Sequence, residues 1–188
     1  PVRYITNRSS GKMGYEIAEA ARNRGAHVIL ITAPTNLKPP YGVEVIRVRR
    51  ACEMRDKVLE LEKNVDAVIM AAAVSDYSPK EIREEKIKRE ERLILELEKT
   101  PDIIGEVEGP LKIGFALETH DLEENARKKL REKKLDLIVA NEVSEVSGFE
   151  VDTNKITIIR KDGEIKRYPV LPKKEVAHII LDALREEI

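Results

Sequence analysis

The stretch Asp66-Ala67-Val68-Ile69-Met70-Ala71-Ala72 is almost wholly apolar, and it is one of several. His27-Val28-Ile29-Leu30-Ile31-Thr32, Lys112-Ile113-Gly114-Phe115-Ala116 and Leu135-Asp136-Leu137-Ile138-Val139-Ala140 share its texture. Short runs without strict polar alternation suit strands covered on both faces. Helical patterns separate them: Tyr15 to Arg22, Glu53 to Lys63 with Met54, Val58 and Leu61 on one face, and Asp121 to Lys134. Strand–helix repetition with buried strands restricts the chain to the α/β class with a mainly parallel sheet.

Other segments complete a single three-layer domain over residues 1–188. Val2 to Thr6 reads as an opening strand, and Val43 to Val48 and Arg92 to Leu97 alternate as strands should. Pro101 suits the first turn of a short helix, Ile103 to Val107. Lys155–Arg160 and Glu164–Tyr168 flank Lys161-Asp162-Gly163, a hairpin signal. This hairpin falls outside the regular alternation, so it is expected to project as a flap (about residues 142–170) suited to subunit contact. Pro172 opens a closing helix with Val176, Ala177, Ile180 and Leu184 facing the core.

Composition narrows the function classes. With a formal net charge of −1 and 37% charged residues, the chain has no global positive field for nucleic acid or an acidic membrane. No apolar run approaches a membrane span, and no signal peptide is visible. Cys52 is alone, and the three histidines make no zinc-type spacing, so a reducing, cytoplasmic setting is expected. The absence of Gln and Trp, with abundant Glu, Lys and Arg, is the bias of a thermophile's protein. Pro1 in place of Met implies processing, or excision from something longer upstream.

Between the opening strand and the first helix lies Asn7-Arg8-Ser9-Ser10-Gly11-Lys12-Met13-Gly14. Such a loop either caps the helix through Ser10 or gathers backbone N–H groups around an anion, usually a phosphate. It is not a dinucleotide fingerprint. Gly11 and Gly14 supply half of the glycine pattern, and the second strand ends Ile31-Thr32-Ala33-Pro34 without a ribose carboxylate. Nor is it a P-loop, since Met13 follows Gly11-Lys12 and Thr6 stands in the first glycine's place. Ala71-Ala72-Ala73-Val74-Ser75-Asp76-Tyr77 follows a buried strand, where open α/β sheets bind ligands. Asp76 is there either a ligand carboxylate or a turn cap. Lys86-Ile87-Lys88 is either a solvated run or a loop that closes over phosphates. Lys129 and Lys133, four apart on one helix face, read in isolation as surface ion-pair partners of Glu123, Glu124 and Glu132.

Six blocks in order resemble the phosphopantothenoylcysteine synthetase family: residues 3–14, 71–77, Glu85-Lys86-Ile87-Lys88, Pro101-Asp102-Ile103, Gly114 to Thr119, and Asp136 to Asn141. The resemblance implies a Rossmann-like fold and a ligase of coenzyme A biosynthesis. Such an enzyme activates 4′-phosphopantothenate with CTP and Mg²⁺, giving an acyl-cytidylate and pyrophosphate. L-cysteine then displaces CMP. It further implies a homodimer and a fused, flavin-dependent decarboxylase partner half. By the resemblance, Asn7 handles the acyl intermediate and Lys86 meets the triphosphate. Arg3, Ser9, Ser10, Gly11, Lys12, Gly14 and Ala73 lie on the substrate side. Met70, Ala72, Asp76, Thr100, Pro101, Asp102, Ile103, Phe115, Lys129 and Lys133 lie on the nucleotide side, with Phe115 packed on base or ribose. No protein metal ligand is implied. Thr100 stands where the family commonly has Asn, and similarity is weakest over 142–167. The alternatives are a nicotinamide-dependent reductase on the same sheet, and a non-catalytic nucleotide-binding subunit.

Overall fold

A computed structural model describes residues 5–82, 85, 92–118, 121–142 and 151–188, with the side chain of Glu118 also outside that set. In chain order the elements are α1 (Lys12–Asn23), β1 (Ile29–Thr32), β2 (Glu44–Arg47), α2 (Ala51–Leu61), β3 (Ala67–Met70), β4 (Tyr77–Pro79), β5 (Leu97–Lys99) and α3 (Ile103–Glu106). They continue as β6 (Leu111–Glu118), α4 (Leu122–Glu132), β7 (Leu137–Glu142), β8 (Thr153–Arg160), β9 (Ile165–Pro172) and α5 (Lys173–Arg185). Of the expected opening strand, Val2 to Tyr4 lie outside the described residues, and Ile5 and Thr6 belong to no strand.

The main sheet has the order β3-β6-β7-β8-β9, with β3, β6 and β7 parallel and β8 and β9 antiparallel additions; β1 and β2 form a separate parallel pair. The α3 and α4 crossovers carry the chain between parallel neighbours, as strands running the same way require. Alternation divides the core into two faces. Ile113, Leu137, Val139, Ile156 and Ile158 pack with Ile17 of α1 and Val176, Ala177 and Ile180 of α5. Ala116, Ile138, Ala140 and Ile159 pack with Met54 and Val58 of α2, Ile103 and Ile104 of α3, and Ala126 and Leu130 of α4. This is the expected three-layer α/β arrangement. On β6, Gly114 is required by close approach: a Cβ there would lie 2.5 Å from Leu135 Cδ1. No helix among the described residues is long and apolar enough to cross a membrane.

Three expectations are corrected. The hairpin does not stand free: β8 pairs with β7 from Leu137↔Arg160 to Asn141↔Ile156, and its isoleucines fill both core faces. Residues 143–150 of the expected flap lie outside the described set. The strand expected at Arg92–Leu97 is displaced to Leu97–Lys99, where it pairs with β4, an element that no periodicity announces. Leu93, Ile94 and Leu95 are all exposed, so their alternation has no buried face to serve. Finally, Asp102 rather than proline starts α3: its carboxylate accepts from Gly105 N at 3.4 Å, and Pro101 precedes the cap.

Candidate functional site

The site is assembled at the carboxyl ends of the parallel strands, where the chain leaves β3 as Ala71–Asp76 and meets the start of α1. A Cβ on Gly14 would lie 3.7 Å from Ala71 Cβ, so the first turn of α1 sits against the exit of β3. Gly11, at φ +76°, is the helix's N-cap residue and adopts a conformation that L side chains rarely take. It makes no side-chain cap, and neither does Ser10 in the standard position. Instead Ser10 Oγ accepts from Lys12 N at 3.3 Å, and Ser9 Oγ from Gly11 N at 3.4 Å. Thr35 Oγ1 donates to Ser10 O at 3.0 Å, fastening this loop to the one after β1.

Asn7 reaches across the site. Its Nδ2 donates to Ala73 O at 3.1 Å and to Val74 O at 3.3 Å. Two carbonyl partners fix which end of the amide faces this segment, since the oxygen could not donate to them. Nδ2 is thereby engaged, and Oδ1 is a polar atom left to a ligand. Thr100 holds the same segment: Thr100 Oγ1 donates to Ser75 O at 2.5 Å and Thr100 N to Asp76 O at 2.9 Å. Asn7, expected on the substrate side, and Thr100, expected on the nucleotide side, thus both bond to one backbone segment, 73–76. Among the described residues nothing hydrogen-bonds the exposed Asp76 carboxylate.

Of the residues expected on the nucleotide side, Lys133 pairs with Asp102 at 2.6 Å, and Lys129 Nζ donates to Phe115 O at 2.7 Å. The contacts of Lys129 and Lys133 cross from α4 to β6 and α3, while Lys128 pairs with Glu132 along the helix at 3.9 Å. Met70 and Ile103 pack on the α4 face of the sheet. Phe115 does not join them. Its side chain packs against the core cluster that includes Ile17 of α1 and Ile113, because residues 113 and 115 share a face opposite to 114 and 116. Ala72 is exposed at the strand exit. Arg3 and the whole Lys86-Ile87-Lys88 loop lie outside the described residues.

Lys12, expected beside a substrate anion, pairs with Asp152 at 2.6 Å, and its ammonium holds the Asp152 carboxyl below the ordinary carboxylate range. Asp152 O also accepts from Lys173 N at 2.9 Å, and Val151 O from Lys173 Nζ at 2.5 Å. The segment before β8 is thereby stitched to the first residues of both α1 and α5. Burial pushes the Lys173 ammonium down from its ordinary value. Sequence reasoning missed Asp152, Thr35 and Lys173. Each joins segments remote in the chain, so no local spacing could mark them. Among the described residues no group of three or more His, Cys, Asp or Glu side chains could hold a metal ion.

The family model described as the DNA/pantothenate metabolism flavoprotein C-terminal domain matches residues 1–188. The coenzyme A biosynthesis bifunctional protein CoaBC of Bacillus subtilis (strain 168) is 46% identical over 191 residues, covering 98% of this chain and 47% of that protein. A crystal structure of the C-terminal domain of the coenzyme A biosynthesis bifunctional protein CoaBC superposes with a TM-score of 0.85 at 46% identity, over 100% of this chain and 87% of the other. The DNA/pantothenate metabolism flavoprotein from Streptococcus pneumoniae superposes with a TM-score of 0.83 at 26% identity, over 100% and 93%. The chain spans about half the length of the curated relatives it matches. With the fold, the order of the sequence blocks and these likenesses in agreement, the chain belongs to the family of DNA/pantothenate metabolism flavoprotein C-terminal domains.

Proposed function

We propose that this domain is the ligase that joins 4′-phosphopantothenate to L-cysteine through an acyl-cytidylate, at the expense of CTP. The observation that carries this reading is the shared backbone segment. Asn7 from the first loop and Thr100 from the nucleotide side both bind backbone within 73–76, so two substrates seated on the two sides meet there. In the first step a carboxylate oxygen of phosphopantothenate attacks the α-phosphorus of CTP, and pyrophosphate leaves with the bonding pair. In the second, the cysteine amine attacks the acyl carbon, CMP leaves, and the amine proton passes to solvent. Holding both reactants in line removes much of the entropic cost of a bimolecular step.

Each residue then has a bounded task. Ser9 to Gly14 seat the phosphopantothenate side, where α1 directs its N-terminus. Asn7, with its Nδ2 engaged by the 73–76 segment, orients the substrate chain through Oδ1 rather than polarising the acyl oxygen. Lys129 and Lys133 line the nucleotide side with Pro101 to Ile103, and Lys86 stabilises charge on the departing phosphates. Mg²⁺ fits as an ion carried by the triphosphate, for which one free carboxylate such as Asp76 is a sufficient protein ligand; bound there it would neutralise phosphate charge. The homodimer comes with the family resemblance alone. A fused decarboxylase half accords with a chain that covers about half of its curated relatives.

The test is pyrophosphate release with phosphopantothenate, Mg²⁺ and each of CTP, ATP, UTP and GTP in turn. CTP should give the highest turnover, with CMP appearing once cysteine is added. No release with any nucleotide would refute the ligase reading; preference for another nucleotide would refute only the assignment of CTP.

A further inference from the structure

Lys112 is marked by no motif and has no role in the chemistry above. It is the second residue of β6 and only 8% exposed, although lysine is rarely buried without compensation. Its backbone is fixed by Asp136, whose Oδ2 accepts from Lys112 N at 2.8 Å and whose N donates to Lys112 O at 2.9 Å. Its Nζ donates to two carbonyls, Val107 O at 3.2 Å and Lys133 O at 3.0 Å. Val107 is the C-cap of α3 and Lys133 the C-cap of α4. Helix ends leave carbonyls without partners and carry partial negative charge, so an ammonium there is favoured twice over.

One buried cation therefore fastens the end of α3 to the end of α4 from behind. The same helices are tied in front by the Lys133–Asp102 pair, and Asp102 is the N-cap of α3. Asp102, α3, Val107, Lys112 and Lys133 form a closed frame, with Lys133 common to both ties. Neither piece can swing without the other.

We propose that Lys112 is a positioning residue for the nucleotide: it sets the spacing between Pro101–Ile103 and the Lys129–Lys133 ridge, so that both engage the nucleotide as one unit. This rests on the nucleotide placement proposed above. Lys112 touches no substrate and acts through Lys133 and Val107.

Lys112→Met keeps the aliphatic stem and removes the ammonium. In steady-state pyrophosphate release by the full chain, well below the variant's melting midpoint, the KM for CTP should rise about tenfold, as expected for two lost hydrogen bonds to a charged donor. The KM for phosphopantothenate should stay within about twofold, and Lys112→Arg should recover part of the CTP effect. A merely structural lysine would lower the melting midpoint and leave the ratio of the two KM values unmoved; that result in a folded variant overturns the proposal. Should Lys112→Met not fold, hydrogen exchange on the wild-type chain decides. CTP should slow the amides of Glu106 and Lys133 together, which bond to Asp102 O and Lys129 O at 3.1 and 3.0 Å; protection of one alone overturns it. A wild-type chain that neither binds nor turns over CTP defeats the ligase reading and this inference with it. An active wild type with an unmoved CTP KM in the variant defeats this inference alone.

Discussion

Replacing Asn7 by Ala removes both hydrogen bonds that tie the first loop to the 73–76 segment. Each is a neutral bond at an exposed residue, so the pair is worth about 1–2 kcal/mol. If the aligned arrangement is the productive one, its loss corresponds to about a 5- to 30-fold fall in kcat/KM for pyrophosphate release. Asn7→Asp is the sharper perturbation. It keeps the shape but sets a carboxylate oxygen against two carbonyl oxygens, adding repulsion to the lost bonds. Near pH 7 it should therefore be slower than Asn7→Ala, despite being the more conservative change. Because the bonds link surface segments and touch no core residue, both variants should fold and melt within about 8 °C of the wild type. The assay is pyrophosphate release under saturating CTP with varied phosphopantothenate, beside calorimetry. Asn7→Asp as active as the wild type would refute the assigned amide orientation. Equal activity of the Ala and Asp variants would show that the tie has no part in alignment.

Three further outcomes follow from the packing. Lys173 is held below its ordinary value by burial, so the unfolded chain binds more protons in the window below about pH 10.4 and stability there rises with pH. Wild type should thus gain on Lys173→Met as pH goes from 8 to 10 in parallel melts; a constant gap would contradict the buried ammonium. Arg160, with a side chain 6% exposed, pairs with Glu164, Glu186 and Glu187 and so binds the hairpin to the end of the chain. Arg160→Leu should cost about 2–3 kcal/mol, since the orphaned carboxylates keep some access to water, lowering the melting midpoint by about 5–10 °C; a shift under about 2 °C would show that the cluster stabilises nothing. Gly114→Ala places its Cβ 2.5 Å from Leu135 Cδ1 and should cost about 1–3 kcal/mol, partly relieved when Leu135→Ala is added; strict additivity in the double variant would remove the proposed clash.

The layers were legible because burial on two faces writes itself into continuous apolar strands such as β7, and single-faced helices into the periodicity of α1, α2 and α5. The loop from Asn7 to Gly14 stood out as a candidate because its hydroxyls and glycines precede a helix, which the structure places at Lys12–Asn23. What could not be read was pairing across the chain. The alternation at Arg92–Leu97 has the right period, yet Leu93, Ile94 and Leu95 are exposed, and the strand forms further on where backbone partners on β4 exist. The hairpin was correctly found at Lys161-Asp162-Gly163, but its attachment to β7 depends on a neighbour some twenty residues away that no turn chemistry encodes. Lys12 and Lys133 show the same limit at the site: their charges were visible, whereas Asp152 and Asp102 as partners depend on the folded arrangement. Phe115 illustrates what a motif leaves open. Membership of a motif says nothing of which sheet face a side chain takes, and alternation along β6 puts it with α1.

On the proposed reading, two substrates meet over the 73–76 segment and form a mixed anhydride there. This reading is tested most directly by mixing the chain with CTP, Mg²⁺ and 4′-phosphopantothenate without cysteine, then quenching for mass spectrometry. A species of the mass of the acyl-cytidylate is expected, formed together with pyrophosphate and converted to phosphopantothenoylcysteine and CMP when cysteine is added. Product formation only when all substrates are present together, with no such species and no pyrophosphate beforehand, would contradict it.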